Sequence, residues 1–113
     1  MNNIEKEYIL CAAVWYKDFQ VTMKPDKMPL LSYAPKNVDK GIVFCGQRHH
    51  QCIYQMVVIT GKAQHEMGEE VQGFLTNINR FVDREEAYKI AIESGQIKEG
   101  KYHDNRLFSE DLY

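Results

Sequence analysis

Nothing in this 113-residue chain is long and apolar enough to span a bilayer: the longest apolar run, Ile9 to Tyr16, falls far short of the roughly 20 residues a spanning helix needs. The stretch Met1 to Lys6 is polar, without the basic start and apolar core of a signal peptide, which predicts a cytoplasmic protein. Charge of one sign is also missing. With 14 Lys plus Arg against 16 Asp plus Glu, the chain has no global field for DNA, RNA or an anionic membrane, so any pull on phosphate must come from local clustering. Cysteine is scarce. Cys11, Cys45 and Cys52 are an odd number with no paired spacing, and the first two lie in apolar strand-like runs where thiols act as small hydrophobes, which argues against a disulfide framework.

Recognised catalytic signatures are absent. There is no glycine-rich phosphate loop of the G-x-x-x-x-G-K-S/T type and no G-x-S-x-G nucleophile elbow. The four histidines begin HHQ, HQC, HEM and HDN, so neither of the H-x-T/S motifs of the two-histidine phosphoesterases is present. Zinc would have to use Cys45, His49, His50 and Cys52, whose C-x3-H-H-x-C spacing fits no established pattern, and the sequence implies no metal and no cofactor. Nucleophilic catalysis by Cys45 or Cys52 would need an exposed thiolate, whereas both read as buried.

What remains, 44% hydrophobic residues and 27% charged, is the balance of one compact domain over residues 1–113. At this length folding buries about two-thirds of the chain's surface, enough for one core but not for a deeply enclosed ligand. YILCAAVWY (Tyr8 to Tyr16) reads as a central strand buried on both faces, and GIVFC (Gly41 to Cys45) as a second, closed by Gly46. All three prolines fall between Pro25 and Pro35, so residues 18–40 read as a long loop, with room for a short edge strand. Cys52, Ile53, Met56, Val57 and Thr60 recur at helical spacing before Gly61, predicting a helix over about 49–60, although the β-branched cluster from Val57 to Thr60 favours a strand. Val71 to Val82 reads as a hairpin turning at Asn77 and Asn79. Asp83, with Glu86 three residues on, caps a second helix ending before Gly95, and the tail RLFSEDLY carries apolar residues that should dock. The expected fold is α+β: a small, mostly antiparallel sheet packed against two helices.

Only four arginines occur, against ten lysines, and three of them flank predicted helix starts. Arginine in a first helical turn opposes the helix dipole unless an anion joins it, and Arg84 sits immediately after a cap. Arg80 lies four residues earlier, so the two guanidiniums are candidates for a shared phosphate or pyrophosphate; the alternative is that Arg84 pairs with Asp83, Glu85 or a carboxylate across an interface. Arg48, His49 and His50 precede the first helix and form a second candidate set, as donors to phosphate or hydroxyl groups, as an acid–base pair for nucleotide hydrolysis, or as a plain polar loop. Phe74, after Gly73, is the preferred ring for stacking on a base, with a core role as its alternative. Asn79 is a candidate for base or ribose hydrogen bonds, or simply a turn residue.

The block GFLTNINRFVDREEAYKIAIESGQI (Gly73 to Ile97), with LFSEDLY (Leu107 to Tyr113) and the upstream GQRHHQC, resembles a recurring pattern of small phage and prophage proteins. Within that group it resembles the first family of phage anti-Thoeris proteins, the most specific piece being N-R-F-V-D-R-E-E-A. The resemblance implies a sponge that captures the cyclic ADP-ribose isomer made by bacterial TIR-domain defence enzymes without cleaving it. It further implies a homo-oligomer, dimer or hexamer, with pockets between protomers, working in the cytoplasm of the infected bacterium, some members also holding cyclic oligonucleotides. On it, the phosphate-gripping pair falls on Arg80 and Arg84, with Arg48, His49 and His50 as further contacts and Phe74 and Asn79 as candidates for base recognition. A protein that binds a host protein through the long Pro25 to Pro35 loop is the reading from a different class.

Overall fold

A computed structural model describes residues 6–21, 34–97 and 105–112. In chain order they form β1 (Ile9–Tyr16), β2 (Ile42–Gly46), α1 (His49–Thr60), a 3-10 turn (Gln64–Glu66), β3 (Glu70–Thr76), β4 (Phe81–Asp83), α2 (Arg84–Ser94) and a last 3-10 turn (Ser109–Asp111). The four strands make one antiparallel sheet in the order β2-β1-β3-β4, so the α+β architecture expected from the sequence is the one observed.

Alternation along the strands decides where the core sits. Ala12, Val14 and Tyr16 of β1 share a face with Phe44, which opposes Val14, and with Phe74, which opposes Ala12. Those side chains join Cys52 and Met56 of α1 and Ala87, Ile90 and Ala91 of α2 in one buried cluster, α1 lying on β1 and β2 and α2 on β3 and β4. On the opposite face the Trp15 and Phe81 rings meet edge to face, 5.6 Å between centroids, and the segment before β2 is tied there by Trp15 Nε1 donating to the Lys40 carbonyl. The long loop is described only at its two ends; the expected edge strand and the prolines Pro25 and Pro29 lie outside the described residues.

The local signals settle as their chemistry requires. The Asp83 side chain accepts from the Glu86 N–H at 2.8 Å and starts α2, while Gly95, at φ 82°, ends it in the left-handed conformation that glycine adopts without strain. Helix wins over strand at α1 because Cys52 and Met56 are buried whereas Val57, Val58 and Ile59, the β-branched residues, are exposed. The tail docks: Leu107 and Ser109 are buried, and the Leu107 N–H donates to the Arg84 carbonyl at 3.0 Å.

Candidate functional site

The arginine pair expected to share an anion is split. Arg80, leaving the β3–β4 turn, lays its guanidinium across the Glu7 carboxylate, Nε to Oε2 at 2.9 Å and Nη2 to Oε1 at 3.1 Å, and reaches Glu86 Oε2 at 2.8 Å. Thr76 adds a hydroxyl donor to Glu7 at 2.7 Å, and these bonds hold the Glu7 carboxyl below, and the Arg80 guanidinium above, their ordinary pKa values. Arg80 thus ties the segment entering β1 to the first turn of α2, with its Nε and Nη2 donors committed to carboxylates.

Arg84 is held differently. Its Nη2 donates to Gln72 Oε1 at 2.6 Å, its Nη1 to the Leu107 carbonyl at 2.9 Å, and its guanidinium carbon stands 4.2 Å from the centre of the Phe108 ring. All three partners are uncharged. Burial, and secondly the nearby charge of Arg106, lower its pKa, against the smaller opposing fields of the Glu110 and Asp111 carboxylates. No carboxylate forms an ion pair with Arg84 or Arg106 among the described residues; of the two neighbours in sequence expected for Arg84, Asp83 caps α2 and Glu85 is exposed, both on the wall of the groove but unpaired with Arg84. Around the two arginines opens a groove of about 470 Å³ lined by Glu70, Val71, Gln72, Asp83, Arg84, Glu85 and Arg106. Glu70 on its wall is occupied by the amides of Gln64 and Gln72 at 2.8 and 2.9 Å.

The other sequence candidates scatter. Phe74 is fully buried at the centre of the core, so its ring is closed to a ligand, and Gly73 before it answers to the β4 backbone: a Cβ there would collide with the Val82 carbonyl. His49 turns inward, its Nε2 2.8 Å from the Gly73 carbonyl and its ring edge-on to Phe74, and burial pushes its pKa down. His50, the next residue on α1, faces solvent beside Tyr54, so the two histidines do not form an acid–base pair around one point. Arg48 occupies the N-cap of α1, its N–H accepted by the Gln51 side chain at 2.9 Å. Asn79 is exposed at the β3–β4 turn with φ 63°, the left-handed geometry asparagine tolerates. Among the described residues, no group of three or more His, Cys, Asp and Glu side chains is placed to hold a metal ion, and no helix is long and apolar enough to cross a membrane.

Sequence reasoning passed over Gln72, Arg106 and Phe108. Arg106 was visible as one of only four arginines; its nearness to Arg84 depends on the tail folding back, which spacing along the chain does not show.

Against known families, the model of the phage T4 y16D protein family matches residues 8–113. The chain belongs to that family. No curated protein and no solved structure matches it. As a phage T4 y16D family member it is a phage protein, and its described β1, β2, β3, β4, α1 and α2 all lie inside the matched region.

Proposed function

We propose that this phage T4 y16D family member is a non-catalytic binding protein that captures a small phosphate-bearing cyclic nucleotide. The resemblance in sequence to the first anti-Thoeris family supports a cyclic ADP-ribose isomer as that ligand, with cyclic oligonucleotides as related cargo, and supports capture that blocks a bacterial defence signal. The observation that carries the reading is Arg84, clamped by Gln72, Leu107 and Phe108 with Arg106 alongside, two guanidiniums on an open groove without a carboxylate ion pair. The Arg84 guanidinium, pre-oriented by neutral partners, offers donors to a phosphate at small entropic cost, and an anion would relieve its repulsion with exposed Arg106. The phosphate grip therefore moves from Arg80 and Arg84 to Arg84 and Arg106, and binding needs neither a nucleophile nor a metal.

The test mixes purified protein with cyclic ADP-ribose isomers and cyclic oligonucleotides, removes unbound ligand, denatures the protein and weighs what is released. Intact nucleotide in stoichiometric amount, lost in Arg84→Ala/Arg106→Ala, is the expected outcome. A released product of altered mass would make the protein an enzyme. No bound nucleotide, or undiminished binding by the double variant, would remove this site.

A further inference from the structure

The face of the sheet turned away from the helices carries two of the three cysteines. Along β1 the side chains of Cys11 and Ala13 leave the sheet on the side opposite Ala12 and Val14, and Cys45 of β2, which opposes Ala13, leaves on that side as well. Cys11 and Cys45, remote in sequence, are therefore diagonal neighbours across adjacent antiparallel strands, both half-buried and both free thiols. The Cys45 S–H donates to the Cys11 sulfur, which also accepts from the Gly46 N–H. The contact with Cys45 is the larger influence, and with Gly46 it outweighs burial and brings the Cys11 thiol down to about 7; the same contact, aided by burial, pushes Cys45 up. Cys52 belongs to the other side of β1. It is fully buried, its Sγ 3.6 Å from the Ala12 carbonyl and 3.5 Å from that of Arg48, and burial pushes it up to about 12.

We infer that Cys11 and Cys45 are a redox modification site, closing to a reversible disulfide between β1 and β2 on contact with a hydroperoxide, with Cys11 as the attacking sulfur and Cys45 as the resolving one. The Cys11 thiolate attacks one oxygen of hydrogen peroxide: an S–O bond forms, the O–O bond breaks, and the departing hydroxide takes up a proton as water. Cys45 then gives up its proton and attacks the sulfenic sulfur, so that S–S forms, S–O breaks and the hydroxyl leaves as a second water. The two thiols lose two electrons together and one peroxide gains them. A partly exposed thiolate beside a second thiol is the arrangement this sequence of steps requires. Gln55 Nε2, donating to the Cys45 carbonyl at 3.0 Å, fixes the main chain of the resolving residue, and β2, an outer strand paired only with β1, can give where a diagonal bridge demands it. Bridging a diagonal strains the bond more than bridging an opposed pair, which favours easy reduction. The site stands apart from the arginine groove, which is built on β3, α2 and the tail.

The reduced full chain is exposed to hydrogen peroxide under native conditions, unfolded in the presence of a maleimide, and weighed intact and after digestion. Expected is a fall from three alkylated thiols to one, on Cys52, with the Cys11 and Cys45 peptides joined and all three thiols restored by dithiothreitol. In Cys45→Ser the bridge is lost and a sulfenic acid on Cys11 is trapped by dimedone, in Cys11→Ser neither product forms, and Cys52→Ala bridges like the wild type. The wild-type digest decides the pairing by itself, so the result does not depend on any variant folding. Three thiols still alkylated after peroxide, or a bridge that uses Cys52 or joins two chains, overturns the inference.

Discussion

Arg80 shows how one side chain can be misread from its neighbours in sequence and understood from its neighbours in space. Its four-residue spacing from Arg84 suggested joint anion binding, but Glu7, remote along the chain, takes it in a forked ion pair. Such a partner cannot be read from local pattern, whereas Asp83, Glu86 and Gly95 could be, because a helix cap is an interaction between near neighbours. With both side chains of the Glu7 pair largely covered, Arg80→Ala should cost about 1–2 kcal/mol of stability at neutral pH. Glu7 has a lowered folded pKa, so its contribution is present above the ordinary value of 4.5 and is lost as pH falls through the folded value. Urea unfolding at a series of pH values should therefore show the wild-type and Arg80→Ala stabilities converging below pH 4.5, and a gap that stays constant would contradict the role given to Glu7. His49, also with a lowered pKa, adds an earlier loss to both proteins as pH falls below 6.5, since its buried site favours the neutral ring.

Within the elements, the β3–β4 hairpin and α1 end in glycine-dependent geometry of two different kinds. Gly61 closes α1 at φ 72° with nothing near the place where a side chain would go, so Gly61→Ala meets only backbone strain, about 1 kcal/mol. Gly73 has an ordinary strand conformation but no room, since a Cβ would strike the Val82 backbone across the hairpin, and Gly73→Ala should cost about 3 kcal/mol or prevent the pairing. Thermal unfolding of the two variants side by side checks this ordering; equal losses would mean that β4 yields easily. The hairpin and both helices were legible because alternation, caps and turn residues are short-range signals. Phe74 was not: a phenylalanine after a glycine reads alike whether its face is covered or bare, and only the packing of α1 and α2 onto that face of the sheet decides it.

Taken as a whole, the molecule builds its arginine groove from parts far apart in sequence: Gln72 on β3, Arg84 at the start of α2, and the tail at Arg106 to Phe108. This is why the fold class could be read in the sequence and the site only in part, since a tail among charges shows that it docks without showing where. The buried Leu107 side chain anchors the tail while its backbone holds Arg84. Leu107→Ala should remove about 2–4 kcal/mol of stability and weaken nucleotide binding more than a stability-matched substitution elsewhere in the core, such as Met56→Ala. Calorimetric titration of the two variants under conditions where both remain folded separates the effects; equal affinities would detach the tail from the site.

The sheet has two outer strands, and each carries a primary amide where a further strand would attach. On β4, Asn37 mimics a strand residue, its Oδ1 accepting from the Phe81 N–H at 2.8 Å and its Nδ2 donating to the Phe81 carbonyl at 2.7 Å. On β2, Gln55 covers the Cys45 carbonyl. One backbone position on each outer strand of the described sheet is thus occupied by an amide supplied from outside it. Conversion of Asn37 to aspartate would keep the acceptor but set an anionic oxygen against the Phe81 carbonyl, so loss of one amide nitrogen would loosen the segment before β2 from the β4 edge.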